Sequence, residues 1–272
     1  MDNEILEICE PMQKPDIYKY KLDINTNIER AKAVLGIKNN GSIQNIFSVE
    51  DLSLIKGERK GRKSFTLSKF FDIVLGNNHD FLKTELQGEK RLAYFDTEQS
   101  QYYAQLTNRR IARQSGSDNF DYFYMRGLSK KERKKAIVDY LEWNGKVDFV
   151  VIDGIVDLID DFNAIDESSE LVQWLLEIIA KYKVHVCCVL HVNSGSEKAR
   201  GHLGSMIEQK AETIILVEYL NKMQSKIKFH ATRGAGVDDL KLHVNEIGIS
   251  YIEEFTESEQ MEMEPTTFKK TK

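Results

Sequence analysis

The sequence predicts an α/β fold, with a mainly parallel central sheet flanked by helices and an antiparallel C-terminal extension. Three observations carry this. Short runs of consecutive apolar residues recur along the chain, as strands covered on both faces require. Amphipathic stretches long enough to be helices separate the first five of them. The last three runs follow at turn-length spacing, which suits antiparallel neighbours and leaves no room for helical crossovers.

The elements follow in order. Residues 1–42 mix charges with scattered apolar positions (INTNIERAKAVLGI) and close on the turn signal Asn39-Asn40-Gly41. They read as a lead-in segment with one helix, too short for a separate domain and expected to pack on a neighbour or on the core. The core spans residues 43–253. Its strands are expected at DLSLI (51–55), RLAYFDT (91–97), FDYFYM (120–125), DFVVID (148–153) and HVCCVLHV (185–192). ETIILVE (212–218), KIKFHAT (226–232) and LKLHV (240–244) form the extension. Helices are expected near 64–75, 99–114, 129–144 and 167–183. Residues 254–272 are polar, with little to pack, and read as a mobile tail.

Composition removes several classes. A chain of 272 residues can bury one large core. No run approaches the roughly 20 apolar residues of a membrane span, and MDNEILEICE lacks the basic and apolar regions of a secretion signal. Cys9 stands alone while Cys187 and Cys188 are adjacent in an apolar run, which is neither a disulfide nor a zinc pattern. A reducing, cytoplasmic setting is expected. The net charge of -5 excludes a broadly basic surface but not a local basic channel.

In such sheets ligands bind beyond the carboxyl ends of the strands, and three strand ends carry chemistry. DLSLIKG runs into Gly57-Glu58-Arg59-Lys60-Gly61-Arg62-Lys63-Ser64 and then a helix-like stretch that opens with Phe65. This is close to the phosphate-binding pattern G-x-x-x-x-G-K-[ST], with Arg62 where the last glycine belongs, its side chain either crowding the phosphate path or pointing outward. Backbone amides of such a loop wrap phosphate oxygens, Lys63 reaches the β- and γ-phosphates, and Ser64 ligates Mg²⁺. The bland alternative is a basic surface turn. After the next strand, Glu98 stands at a helix start, either holding a water as general base or complementing the helix dipole. DFVVID places Asp153 after four apolar residues, as a Mg²⁺-anchoring carboxylate requires. Asp157, Asp160 and Asp161 read as solvated acids of the next loop.

With these motifs in order, residues 45–250 resemble the RecA-like hexameric P-loop ATPases. The plasmid RepA-type helicases and related mobile-element AAA-family ATPases are nearest, and the DnaB-type helicase core is more distant. The resemblance implies a nucleotide contact at Gly57, Gly61, Arg62, Lys63, Ser64 and Phe65, and a catalytic Glu98. Ser64 and Asp153 would hold the metal. His191, in Leu190-His191-Val192-Asn193, matches the polar sensor. Arg200-Gly201 matches an Arg-Gly motif opening a short helix. Ile207-Glu208-Gln209-Lys210-Ala211-Glu212 matches an IEQDAD-like stretch. The DnaB-type Lys-x-Arg-x-Gly is here Ala231-Thr232-Arg233-Gly234, so the Arg is kept and the Lys lost. RepA-type proteins place their trans-acting arginine near Lys210.

The residues leave roles open. His191 is a γ-phosphate sensor or a strand-end histidine, and Arg233 an arginine finger or a solvated arginine. Loop 193–204, with Lys198 and Arg200, lines a DNA channel or lies on the surface. The cluster SKKERKKA (129–136) reads as a solvated helix face. The implied function is an ATP- and Mg²⁺-dependent ATPase working as a hexamer or similar ring. Single-stranded DNA and replication or mobilisation proteins are its expected partners, with no membrane role. A RecA-like switch or assembly protein that moves no DNA is the alternative.

Overall fold

The computed structural model describes residues 16–39, 41–77, 79–193, 196–234, 236–256 and 258–259. They fall into two compact units, one ending at Arg30 and one starting at Ala31. The described part of the first unit holds a 3-10 turn, Asp16–Tyr20, with no buried residue.

The second unit opens on a strand where a helix was expected. Strand β1 (Ala33–Asn39) pairs antiparallel with β2 (Ser42–Ser48), Asn39 facing Ser42 across the turn. AVLGI is short enough to suit either state, and burial decides it: Val34, Leu35, Ile46 and Phe47 are fully buried. At Gly36 a Cβ would come within 2.4 Å of the Ile43 side chain, so the close strand pairing needs glycine there.

Then follow β3 (Leu52–Gly57), α1 (Lys63–Val74), β4 (Leu82–Lys83), β5 (Leu92–Asp96), α2 (Gln101–Ser115) and β6 (Phe120–Tyr124). Helix α3 (Lys130–Asn144), β7 (Phe149–Asp153), α4 (Ile165–Tyr182), β8 (His185–His191) and α5 (Gly201–Lys210) come next. Strands β9 (Thr213–Tyr219), β10 (Gln224–Thr232), β11 (Leu240–Val244) and β12 (Ser250–Glu254) close the chain. Among the described residues, nine strands form one sheet in the order β12-β11-β10-β9-β3-β8-β7-β5-β6. From β9 to β6 all neighbours are parallel, and β9 to β12 are antiparallel. The eight expected core strands are all present. Strands β1, β2, β4 and β12 were not foreseen, the first three forming a separate small sheet.

The near-continuous apolar runs follow from two-sided burial. One face sets Ile55, Tyr94, Val151 and Cys187 against Leu67, Phe70 and Phe71 of α1. The other sets Leu54, Phe95, Ile152 and Cys188 against Ile137 of α3 and Leu175 of α4. Truncating one of these large side chains to alanine costs about 3 kcal/mol. The two thiols are free and buried, and burial pushes Cys187 up to about 12, so they act as packing groups. Most of the expected tail lies outside the described residues, though Phe255 is buried and Glu259 accepts from Lys241 Nζ at 2.8 Å. No helix among the described residues is long and apolar enough to cross a membrane.

Register builds the site. Gly57 lies opposite His191, and Asp96 opposite Asp153. The chain leaves β3 toward β5 and leaves the adjacent β8 toward β9, in opposite directions along the sheet, so a crevice opens beyond these strand ends.

Candidate functional site

The loop from β3 to α1 is tight. Gly61 N–H bonds Glu58 O at 3.1 Å, and Lys60 and Arg62 both have left-handed backbone, with φ of 64° and 69°. A Cβ on Gly57 would meet Val217 O of β9 at 2.4 Å, and one on Gly61 would meet Glu58 O at 3.1 Å. Helix α1 starts at Lys63 with no side-chain cap, so its first amides are free to receive an anion.

Arg62 explains how this loop dispenses with its last glycine. A non-glycine residue in left-handed backbone costs on the order of 1 kcal/mol. Against this, the guanidinium leaves the loop and grips the β9–β10 hairpin. It donates to Gln224 O at 2.7 Å, Ser225 Oγ at 3.0 Å, Asn221 O at 2.9 Å and also Lys222 O. It also lies 5.0 Å over the Tyr219 ring. In this arrangement the guanidinium serves the hairpin, while the Arg62 backbone shapes the loop at the edge of the cleft.

Lys63 is buried at 8% exposure and folded onto its own loop. It donates to Gly57 O at 3.0 Å, Glu58 O at 2.9 Å and His191 Nδ1 at 3.0 Å. An ammonium only donates, so Nδ1 accepts, and Nε2–H points to Glu98 Oε2 at 3.3 Å. The His191 hydrogen bond holds Glu98 below the usual carboxylate range, against the effect of its burial. Burial lowers Lys63, opposed by Asp153 and Glu98. Gly154 makes room for this arrangement, since a Cβ there would lie 2.4 Å from Glu98 Oε1. The Asp153–Gly154 peptide is cis.

Asp153 sits beside this chain. Burial raises its carboxyl to about 7, opposed by the Tyr94 hydrogen bond and by Lys63, with Glu98 and Asp96 adding to the rise. Its Oδ2 accepts from Tyr94 OH at 2.5 Å. Asp96 is spent on structure: Oδ1 takes Glu98 N–H at 3.0 Å and Gln99 N–H at 2.9 Å, while Oδ2 takes Tyr122 OH at 2.6 Å and Gln99 Nε2 at 2.8 Å. Ser64 Oγ accepts from Arg110 Nη2 at 3.2 Å, and that guanidinium stacks 3.7 Å over Phe65.

These groups line a cleft of about 830 Å³ that includes Lys63, Ser64, Glu98, Asp153 and His191, the residues expected from the motifs. Arg200 joins them, its guanidinium 4.5 Å over the Phe162 ring, so it faces the cleft. The following Gly201 is needed because a Cβ would meet Phe162 Cδ2 at 2.5 Å. Phe65 packs below the cleft, and Gly57 contributes its carbonyl to Lys63. Lys198 is exposed on its loop. Arg233 pairs with Asp51 at 2.6 Å, at the opposite end of β3. Exposed Lys210 lies two residues before Glu212, whose N–H bonds Leu52 O there. Neither Lys210 nor Arg233 meets its own chain's cleft.

Sequence reasoning missed several wall residues. Asp157 is no solvated acid: it accepts Thr97 Oγ1 at 2.8 Å and lines the cleft, whereas Asp160 and Asp161 are exposed. Arg133 interrupts the otherwise solvated face of α3. It is 8% exposed and donates to Met125 O, Asp157 O and Arg126 O, bracing the β6 and β7 loops. Ser129 and Glu132 of the same cluster form a capping box at the start of α3.

No protein-family model matches the chain, and no curated protein matches it. Solved structures are similar. The crystal structure of the RadB recombinase aligns with TM-score 0.52 and 17% identity, over 77% of this chain and 93% of that one. The flagellar accessory protein FlaH from Methanocaldococcus jannaschii aligns with TM-score 0.52 and 17% identity, over 77% of this chain and 91% of its own. The chain thus has the RecA-like α/β fold, with its cleft at the carboxyl ends of the parallel strands.

Proposed function

We propose that this cleft binds ATP with Mg²⁺ and hydrolyses it. The observation that carries the reading is the continuous chain from Lys63 through His191 to Glu98, lying over the loop at the start of α1. Lys63 exchanges its carbonyl partners and His191 for phosphate oxygens when nucleotide enters. That exchange frees His191 Nδ1, so the imidazole reports phosphate occupancy to Glu98. Glu98, held ionised, orients the attacking water.

The donor set fits Mg²⁺. Among the described residues no group of three or more His, Cys, Asp or Glu could hold a metal by itself. One hydroxyl and one carboxylate completed by phosphates and water is the usual Mg²⁺ arrangement. Ser64 and Asp153 would hold it, both lining the cleft. When bound, the ion neutralises charge developing on the phosphates. Magnesium-dependent ATP turnover by the purified chain tests the reading, and its absence would sink it.

The wider proposal is a ring acting on single-stranded DNA, as a helicase, translocase or loader. Arg233 or Lys210 would complete the neighbouring cleft, since both lie at the far end of the sheet from their own. Lys198 remains the DNA candidate of loop 193–204, whereas Arg200 belongs with the nucleotide. One observation favours a switch that moves no DNA: Glu197 pins this loop to β10 through Lys228 at 2.8 Å and His230 at 2.7 Å. Turnover with and without single strands, at two salt concentrations, separates the two.

A further inference from the structure

Strands β5 and β6 carry the same aromatic arrangement on both faces of the sheet, and the two copies differ by hydroxyl groups. On one face Phe95 and Phe123 are stacked, with ring centroids 5.0 Å apart and planes 12° apart. On the other face Tyr94 and Tyr122 are stacked at 4.8 Å and 11°. The pairs occupy successive rungs of one ladder, Tyr94 opposite Tyr122 and Phe95 opposite Phe123. Phenylalanine suffices for such stacking. The hydroxyls occur only on the face where carboxylates end the strands.

Each hydroxyl makes the same diagonal reach. Tyr94 faces Val151 and donates to Asp153, two residues further along β7. Tyr122 faces Tyr94 and donates to Asp96, two residues further along β5. The side chains share a face because both spacings are two. The two carboxylates differ in what remains. Asp96 has both oxygens committed inside the protein, one to Glu98 N–H and Gln99 N–H and the other to Tyr122 OH and Gln99 Nε2. Asp153 has Oδ2 bound to Tyr94, and Oδ1 makes no hydrogen bond to the described residues. A one-sided donor of this kind fixes the rotation of the carboxyl group and leaves a single oxygen for the cleft.

We infer that Tyr94 and Tyr122 are positioning residues with separate tasks: Tyr94 orients Asp153 toward Mg²⁺, and Tyr122 orients Glu98 through Asp96. The inference rests on the ATPase reading above. It assigns metal affinity to one hydroxyl and turnover to the other.

Tyr94→Phe and Tyr122→Phe keep the stack and remove one oxygen each. Two readouts are needed: the Mg²⁺ concentration giving half-maximal binding of a fluorescent ATP analogue, and turnover at saturating Mg²⁺. Tyr94→Phe should raise the Mg²⁺ requirement about tenfold, the lower end for loss of a metal's outer-sphere partner. Tyr122→Phe should leave that requirement unchanged and lower turnover about tenfold, below the roughly 100-fold expected for loss of the general base itself. Wild-type values for both readouts in both variants would overturn the inference. So would equal shifts in both readouts, which would indicate general loosening. Wild-type protein that binds no nucleotide at any Mg²⁺ concentration removes the ATPase reading itself, and this inference with it.

Discussion

The two ends of the parallel sheet both bury ionisable groups, and both raise a carboxyl, Asp153 at one and Glu212 at the other. They differ in whether a neighbour keeps a second carboxylate charged. At the amino ends, His185 is fully buried against the Phe47 ring. It donates from Nδ1 to Ser48 O at 2.7 Å and accepts from Ser53 Oγ at 2.8 Å. Its Nδ1 stays 3.6 Å from Glu212, which takes the Ser48 N–H. Burial drives His185 down to about 3 and Glu212 up to about 7, so both are mostly neutral near pH 6. At the carboxyl ends, Glu98 is instead held ionised beside an open cleft. Closed networks fix strand positions, whereas charged groups facing a cleft remain available to a ligand.

The comparison breaks first if Lys63→Ala keeps its activity. That variant should lose ATP hydrolysis by at least ~1000-fold, somewhat more than removal of one oxyanion donor, while circular dichroism shows a wild-type melt. Glu98→Gln should bind ATP and hydrolyse it ~100-fold more slowly. Loss of binding without a selective effect on turnover would take Glu98 out of the chemical step.

At the closed end the effects should fall on stability alone. His185→Leu strands the Ser53 hydroxyl and the Ser48 carbonyl, costing about 2 to 3 kcal/mol in urea unfolding. Turnover per folded molecule should not change, and a drop there would show that the two ends are coupled.

The same pair predicts a pH dependence. His185, depressed below its ordinary 6.5, contributes stability present above that pH and lost as pH falls toward 3. Glu212, raised above its ordinary 4.5, contributes stability present below 4.5 and lost as pH rises through about 7. Their joint contribution is greatest between the two, near pH 5.5. Glu212→Gln should therefore gain on the wild type between pH 5 and pH 8 by on the order of 2 kcal/mol. Denaturation midpoints across that range check the sign, and a constant difference would refute it.

The smallest effect is expected at Arg62→Gly. Relief of the left-handed backbone offsets the lost hairpin bonds, leaving stability within ~1 kcal/mol and hydrolysis within about threefold. A collapse of phosphate binding would mean that the guanidinium does enter the cleft.

Periodicity and order in the sequence determined the parallel core, the antiparallel extension and the strand-end positions of Lys63, Glu98, Asp153 and His191. Those signals are local: a strand buried on both faces reads as an apolar run, and a strand end reads as the first polar residue after it. The β1–β2 hairpin was not legible, because a seven-residue segment such as AVLGIKN fits helix and strand equally until a partner covers it. Nor were the roles of Arg110, Arg133 and Asp157, nor the partners of an outward-turned Arg62. A charged side chain in a charged stretch looks solvated unless the carbonyls or hydroxyls it meets are known, and these come from other elements. The outward turn of Arg62 depends on a hairpin some 160 residues away in sequence. The hydroxyls of Tyr94 and Tyr122 gain meaning only from strand register, which places each two residues short of a neighbour's carboxylate. Register is set by the packing of whole strands, so tertiary structure alone decided it.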